Sequence, residues 1–169
     1  MRTMMLLSAI PGSGKSTWAK KYQKDHPNTF IVSSDEIRVK LWGKVNDFHD
    51  EATVWKTYLD QINDYANQFE DVTVIADATN LQNKYRKMYC EETPHFDKHV
   101  LVMFDIPYEI CLIQNQMRSS DRIVPRSGMD KLMAEYEKPD EETLNMYDDC
   151  LIITDVSKKA LEEEKKSVR

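Results

Sequence analysis

The segment that most constrains the fold runs from Ala9 to Thr17 and reads Ala-Ile-Pro-Gly-Ser-Gly-Lys-Ser-Thr. It has the Walker A form, with alanine in place of the usual first glycine. Glycines allow successive backbone N–H groups to turn inward around an anion, and a helix that starts there adds its positive dipole end. An apolar run precedes the segment and an amphipathic stretch follows it, as such a loop requires. The segment therefore predicts a P-loop whose residues contact the phosphates of ATP: Pro11, Gly12, Ser13, Gly14, Lys15, Ser16 and Thr17.

Two side chains of this loop have predicted chemical roles. Lys15 reaches the β- and γ-phosphates and is a predicted catalytic residue, and the Ser16 hydroxyl is a predicted Mg²⁺ ligand. A glycine-rich turn with an incidental lysine is the structural alternative. That alternative does not explain why a strand, a helix and the Lys-Ser-Thr register occur together.

Short apolar runs alternate with longer amphipathic stretches along the chain. The runs predict strands, at residues 3–9, 29–33, 72–76, 98–104 and 150–154. The stretches predict helices, at residues 14–26, 35–42, 50–69, 82–92, 108–118, 125–136 and 157–166. This alternation predicts an α/β fold, the three-layer sandwich of P-loop NTPases, with a five-stranded parallel sheet and a helical lid as in adenylate kinase.

Length and charge limit the remaining choices. A chain of 169 residues suits a single P-loop kinase domain over residues 1–169, with a lid at about 118–126 and a charged tail at about 157–169. Three widely spaced cysteines and no secretory signal predict a cytoplasmic protein, in the host cytoplasm if it is phage-encoded. The apolar run at residues 4–10 is too short to cross a membrane, so no membrane partner is expected. A net charge of −6 argues against coating nucleic acid by bulk electrostatics but allows a local basic pocket.

Asp35 and Arg38 lie on one face of the predicted helix after the second strand. A carboxylate there can accept the proton of an attacking hydroxyl, and an arginine one turn later can bind an acceptor phosphate. The structural alternative is a capping box of Ser33 and Glu36, with Arg38 paired to Asp35. The sequence leaves both interpretations open.

Asp77 ends the third predicted strand. It is a candidate to order magnesium, its water shell or the Ser16 hydroxyl. In the alternative, Thr79 or Asn80 caps the next helix and Asp77 is a solvated strand end.

Arg118 and Arg122 lie in the predicted lid. An arginine delivered from a lid stabilises charge on a transferring phosphoryl group, and both are predicted nucleotide contacts. The alternative is a solvated loop with scattered charges, in which Arg118 complements a helix dipole.

Several segments, taken together, resemble the polynucleotide 5′-kinase family of phage-type and bacterial end-healing enzymes. They keep the order and approximate spacing of that family and cover most of the chain. The segments are residues 11–19, Ser34-Asp35-Glu36-Ile37-Arg38, Asp77-Ala78-Thr79-Asn80-Leu81, Phe104-Asp105-Ile106-Pro107, and Asn115-Gln116-Met117-Arg118 followed by Val124-Pro125.

The resemblance implies a kinase that moves the γ-phosphate of ATP to a 5′-hydroxyl end of DNA or RNA, with Mg²⁺. It implies that Lys15 and Ser16 hold the phosphates and metal and that Asp35 is the general base. By the same resemblance, Arg38 grips the 3′-phosphate of the acceptor, Arg118 acts at the transition state and Arg122 is a second lid contact.

The sequence departs from the family at two points. Gln114 stands where the family often has arginine, and the Asp-x-Asp-Gly-Thr motif of the phosphatase domain is absent from this sequence. The expectation is therefore a kinase-only version. Three other functions remain: a kinase of a small metabolite, nucleoside or nucleotide; a nucleotide-dependent switch; and a P-loop toxin that phosphorylates a sugar nucleotide. Trp42, Phe48 and Trp55 are candidates to stack an acceptor base, although packing within the fold is the favoured interpretation.

Overall fold

A computed structural model describes residues 1–154, so the predicted helix at 157–166 and the charged tail lie outside the described residues. Its centre is a sheet of five parallel strands in the order β2-β3-β1-β4-β5. The strands are β1 (Arg2–Ser8), β2 (Thr29–Ser33), β3 (Val72–Asp77), β4 (Lys98–Phe104) and β5 (Asp149–Ile153). Each lies where the sequence predicts a strand.

Helices connect the strands and complete the layers. They are α1 (Lys15–Asp25), α2 (Ser34–Trp42), α3 (Glu51–Gln68), α4 (Asn83–Glu91), α5 (Tyr108–Gln116), α6 (Arg126–Glu135) and α7 (Glu141–Met146). The predicted fold class, a three-layer P-loop α/β sandwich, is confirmed. Within residues 1–154, no helix combines the length and the apolar character needed to cross a bilayer.

Both faces of the sheet are buried by helices, as parallel strands require. On one face, α3 packs a row of side chains spaced four residues apart, namely Val54, Tyr58, Ile62 and Ala66. On the other face, α1 packs Trp18, Ala19 and Tyr22 against β1 and β4. The sheet is therefore a rigid base for the loops at its carboxyl edge.

Arg86 joins the carboxyl ends of β1 and β3. Its guanidinium is fully buried and donates to the Ser8 hydroxyl at 3.0 and 3.2 Å. It also donates to the carbonyls of Asn80 (3.2 Å) and Leu81 (3.0 Å) and to the side-chain oxygen of Asn83 (2.8 Å). Burial lowers the pKa of Arg86 below its usual range, and these uncharged acceptors replace the water that the cation has lost.

Asn115 fixes the base of the lid. It is buried in the last turn of α5, where its amide donates to the Val124 carbonyl (2.7 Å) and accepts from the Val124 N–H (3.0 Å). These two hydrogen bonds close residues 116–123 into a loop. This loop, with the start of α6, corresponds to the predicted lid.

Gly12 brings the P-loop against the backbone of α5. Its φ is +82°, and a Cβ atom there would lie 2.2 Å from the Cys111 carbonyl oxygen and 3.0 Å from the Asn115 nitrogen. Both contacts are backbone atoms, which cannot move aside as a flexible side chain can. A glycine is thus required by conformation and by space.

We predict that Gly12→Ala lowers the free energy of unfolding more than Gly43→Ala does. Gly43 has a nearly identical φ of +81° but no atom within 4 Å of the added Cβ, so its variant reports the conformational cost alone, about 1–2 kcal/mol. Gly12→Ala adds an overpacking cost of about 1–3 kcal/mol. Urea unfolding of the two variants measures the difference, and equal losses would contradict the packing of the P-loop against α5.

Candidate functional site

Two cavities meet at the P-loop, at the carboxyl edge of the sheet where ligands bind in α/β folds. The smaller, of about 240 Å³, is here called the P-loop cavity; it is lined by Gly12, Gly14, Lys15, Ser16, Thr17, Gln114, Met117 and Arg118. The larger, of about 500 Å³, is called the central cavity. It reaches past Asp35 and Arg38 on α2 to the lid. Lys15, Ser16 and Arg118 line both cavities.

The P-loop side chains contact the end of β3. The Ser16 hydroxyl donates to a carboxylate oxygen of Asp77 at 3.0 Å, which is one of the arrangements that the sequence predicts. Burial is the main cause that lowers the pKa of Lys15; Arg118 acts in the same direction, and Asp77 opposes both. Lys15 therefore feels opposing effects from a carboxylate and an arginine, and the residue is half-buried.

The alternative interpretation of Asp77 as a solvated strand end is wrong. Asp77 is buried, and the N-cap of α4 is Gln82 rather than Thr79 or Asn80. The Asn80 amide instead donates to the Leu7 carbonyl at 2.9 Å. The polar residues after β3 thus bind the end of β1.

The Ser16–Asp77 pair offers oxygen ligands of the kind that Mg²⁺ prefers. Magnesium binds proteins through one or two such groups and completes its octahedral shell with phosphate and water. Among residues 1–154, no group of three His, Cys, Asp or Glu side chains is placed to enclose a metal. The donor set therefore fits a magnesium ion that arrives with a nucleotide better than it fits a resident metal.

Arg38 is held by two carboxylates. Its NH1 group donates to Asp35 at 3.0 Å, and its Nε and NH2 groups donate to the two oxygens of Glu51 at 3.1 and 2.6 Å. Glu51 lies thirteen residues from Arg38 and does not stand out in the sequence as a site residue. Its only sequence signal is an acidic residue at the start of a predicted helix, which is typical of any helix.

The structural interpretation of the Ser33–Arg38 segment is confirmed in its helix cap and its Asp35–Arg38 pair, whereas the catalytic interpretation stays a prediction. The Ser33 hydroxyl accepts a hydrogen bond from the Glu36 N–H at 3.3 Å, so Ser33 caps α2. Asp35 pairs with Arg38 and also lines the central cavity. The first turn of α2 thus has both a side-chain cap, Ser33, and a carboxylate that faces the central cavity, Asp35.

The two lid arginines are directed at α2. The NH2 group of Arg118 lies 3.9 Å from Asp35, and that of Arg122 lies 2.8 Å from Glu36. The hydrogen bond that Arg122 donates to Glu36 raises the pKa of Arg122, whereas burial lowers the pKa of Arg118. The interpretation of these residues as scattered solvated charges is wrong. Arg122 lines the central cavity but not the P-loop cavity.

The charges around the central cavity are balanced. Its lining includes four basic and four acidic side chains: Lys15, Arg38, Arg118, Arg122, Asp35, Glu51, Asp77 and Asp121. The central cavity is therefore not the net basic pocket that the sequence allowed, because its three arginines each lie near a carboxylate. A polyanion gains less from such a surface than from unpaired lysines and arginines.

The three aromatic candidates differ in their surroundings. Trp42 and Trp55 are partly buried and pack against the core, as favoured from the sequence. Phe48 lies in the loop before α3, is 60% exposed and lines the central cavity. The packing interpretation is therefore wrong for Phe48.

The fold is shared with several solved structures at low sequence identity. A gluconokinase from Sinorhizobium meliloti 1021 is 17% identical, with a TM-score of 0.60 over 90% of this chain and 82% of that chain. A chain of the Pnkp1/Rnl/Hen1 RNA repair complex is 21% identical, with a TM-score of 0.71 over 87% of this chain and 46% of that chain; this chain thus matches less than half of its length. A fungal RNA kinase is 15% identical, with a TM-score of 0.63 over 89% and 74% of the two chains.

Sequence comparison identifies the family. No curated protein is similar in sequence to this chain. The family described as AAA domain matches residues 4–139, which is most of the chain and includes the P-loop, Asp35, Asp77 and the lid. Together with the five-stranded parallel sheet, this match shows a nucleotide-binding P-loop fold of the kinase type, and the chain belongs to the AAA domain family.

Proposed function

We propose that this protein is an ATP-dependent polynucleotide 5′-hydroxyl kinase, which transfers the γ-phosphate of ATP to a 5′-hydroxyl end of DNA or RNA. The observation that carries the proposal is that Lys15, Ser16 and Arg118 line both cavities. A phosphate donor in the P-loop cavity and a hydroxyl acceptor in the central cavity would meet at these three side chains.

On the donor side, the backbone N–H groups of residues 12–17 and the ammonium group of Lys15 bind the phosphates of ATP. Ser16 and Asp77 hold magnesium, which neutralises phosphate charge when it is bound with the nucleotide. Arg118 reaches the same point from the lid. Positive charge thus approaches the transferring phosphoryl group from two elements, as phosphoryl transfer requires.

On the acceptor side, Asp35 accepts the proton of the attacking hydroxyl. The oxygen of that hydroxyl forms the new bond to the γ-phosphorus, and the β–γ bridging oxygen leaves with ADP. The Asp35 side chain is 37% exposed, so a substrate can reach it, and Arg38 and Arg118 orient its carboxylate. Arg118 and Lys15 stabilise the charge that develops during transfer.

Arg38 is the proposed contact to a 3′-phosphate of the acceptor. Three of its five N–H donors are engaged by Asp35 and Glu51, which leaves two for a phosphate. Glu51 is a positioning residue in this proposal, because its bidentate pair with Arg38 fixes the plane of the guanidinium.

Two findings support a nucleic-acid acceptor, and two support a second candidate. The resemblance of five ordered segments to polynucleotide 5′-kinases and the shared fold with a fungal RNA kinase favour the first. The shared fold with a gluconokinase and the balanced charges of the central cavity favour a kinase of a small hydroxylated molecule. The two candidates use the same donor site and differ in the acceptor.

We predict that Asp35→Asn lowers transfer from γ-labelled ATP to a 5′-hydroxyl oligonucleotide about 10²–10⁴-fold, because a positioned general base contributes about that much. Asp121→Asn is the matched control, since it removes another carboxylate of the same cavity; we expect a change of only a few fold. A 5′-phosphorylated oligonucleotide should take no label. If the unaltered protein binds ATP but labels no DNA or RNA end, the polynucleotide proposal is refuted. Small hydroxylated molecules are then the next acceptors to assay.

We predict that Ser16→Ala and Asp77→Asn each raise the Mg²⁺ concentration for half-maximal transfer by about tenfold or more, because each removes an oxygen at the proposed metal position. Ser120→Ala removes an exposed lid hydroxyl that lines neither cavity and should leave this concentration unchanged. A Mg²⁺ titration at saturating ATP measures the effect. Unchanged titrations of both variants would place the metal elsewhere.

A further inference from the structure

Phe48 is the most exposed aromatic side chain among residues 1–154. The residue is 60% exposed, and the next most exposed aromatic residue in this range is Tyr85 at 43%. Its position in the loop between α2 and α3 gives it no place in the core clusters. An exposed aromatic side chain that lines a cavity is a candidate ligand contact.

The ring of Phe48 is held beside the proposed acceptor contact. The guanidinium carbon of Arg38 lies over the Phe48 ring at 5.1 Å and over the Trp55 ring at 5.5 Å. Arg38 is itself fixed by Asp35 and Glu51. One side of the Phe48 ring therefore rests on a pre-organised cation, while much of its surface remains in contact with solvent.

Because the charges of the central cavity are balanced, affinity for an acceptor there has to come largely from uncharged contacts. Electrostatic attraction to phosphates usually supplies most of the affinity for nucleic acid, and here the arginines are already paired. Stacking on an aromatic ring does not depend on net charge, and every nucleobase has a face that stacks. A sugar has no π-face, so it cannot form the base–aromatic stacking that a nucleobase forms with Phe48.

We propose that Phe48 is the stacking platform for a nucleobase at the 5′ end of the acceptor, beside the hydroxyl that Asp35 deprotonates. This inference rests on the proposed polynucleotide kinase function and specifies its substrate. A base at the 5′ end has a neighbouring base on one face only, so its outer face is free to stack on Phe48. Phe48 is in this way a specificity-determining residue, which separates nucleic-acid acceptors from sugars.

The test compares Phe48→Ala with Phe48→Trp and with Tyr85→Ala. Phe48→Ala should raise the KM for a single-stranded 5′-hydroxyl oligonucleotide about 5- to 150-fold, the range for loss of base–aromatic stacking, and leave the KM for ATP unchanged. Phe48→Trp retains a stacking surface and should restore the KM. Tyr85 lines neither cavity, so Tyr85→Ala should not change the KM.

An oligonucleotide with an abasic 5′-terminal region provides the matched change in the substrate. The KM of the unaltered protein should rise about as much with the abasic acceptor as the KM of Phe48→Ala rises with the intact oligonucleotide. With the abasic acceptor, the KM of Phe48→Ala should rise little further. If the two losses multiply, or if Phe48→Ala equals the unaltered protein, the stacking proposal is overturned while the kinase proposal stands. If the unaltered protein labels no oligonucleotide at all, the proposed function has failed first and the stacking proposal with it.

Discussion

The buried guanidinium of Arg86 holds together the two strand ends on which both cavities depend. A cation in the interior is stable only when its donors are satisfied, and here the acceptors come from β1, from the segment after β3 and from α4. These acceptors converge only when the strand ends are in register. Ser8 leads directly into the P-loop and Asn80 follows Asp77 closely, so the 3.0 Å contact between Ser16 and Asp77 is built on this tie.

A second principle of the site is that its arginines are positioned by carboxylates before any ligand arrives. Arg38, Arg118 and Arg122 each approach a carboxylate of the α2 segment. Charges fixed in advance stabilise a transition state without the cost of reorganising water. The pairs also connect the lid to α2, so donor and acceptor sides of the site share one set of charges. Because the arginines are paired, the site has only a weak net positive field to attract a polyanion. An uncharged contact such as Phe48 therefore contributes a larger share of the affinity for the acceptor.

The sequence was sufficient for features that depend on local pattern. The P-loop follows from glycine spacing and the strands from apolar runs, whereas the contact of Ser16 with Asp77 was one of several arrangements that the sequence left open. Glu51 was missed because its pairing with Arg38 spans a loop that has no periodic pattern. The different surroundings of Trp42 and Phe48 were missed for a related reason: in a short loop, residue type does not determine which aromatic ring faces the core. The acceptor depends on such loop positions, which explains why the fold was predictable and the substrate less so.

The amide clamp of Asn115 on Val124 separates the length of the lid from the geometry of the helices that carry it. With both ends of residues 116–123 pinned to each other, insertions at the tip do not shift α5 or α6. The entropic penalty of a longer loop is small, about 0.6 kcal/mol for each doubling. A longer or shorter tip can therefore change the reach of the lid while α5 keeps its contact with the P-loop at Gly12.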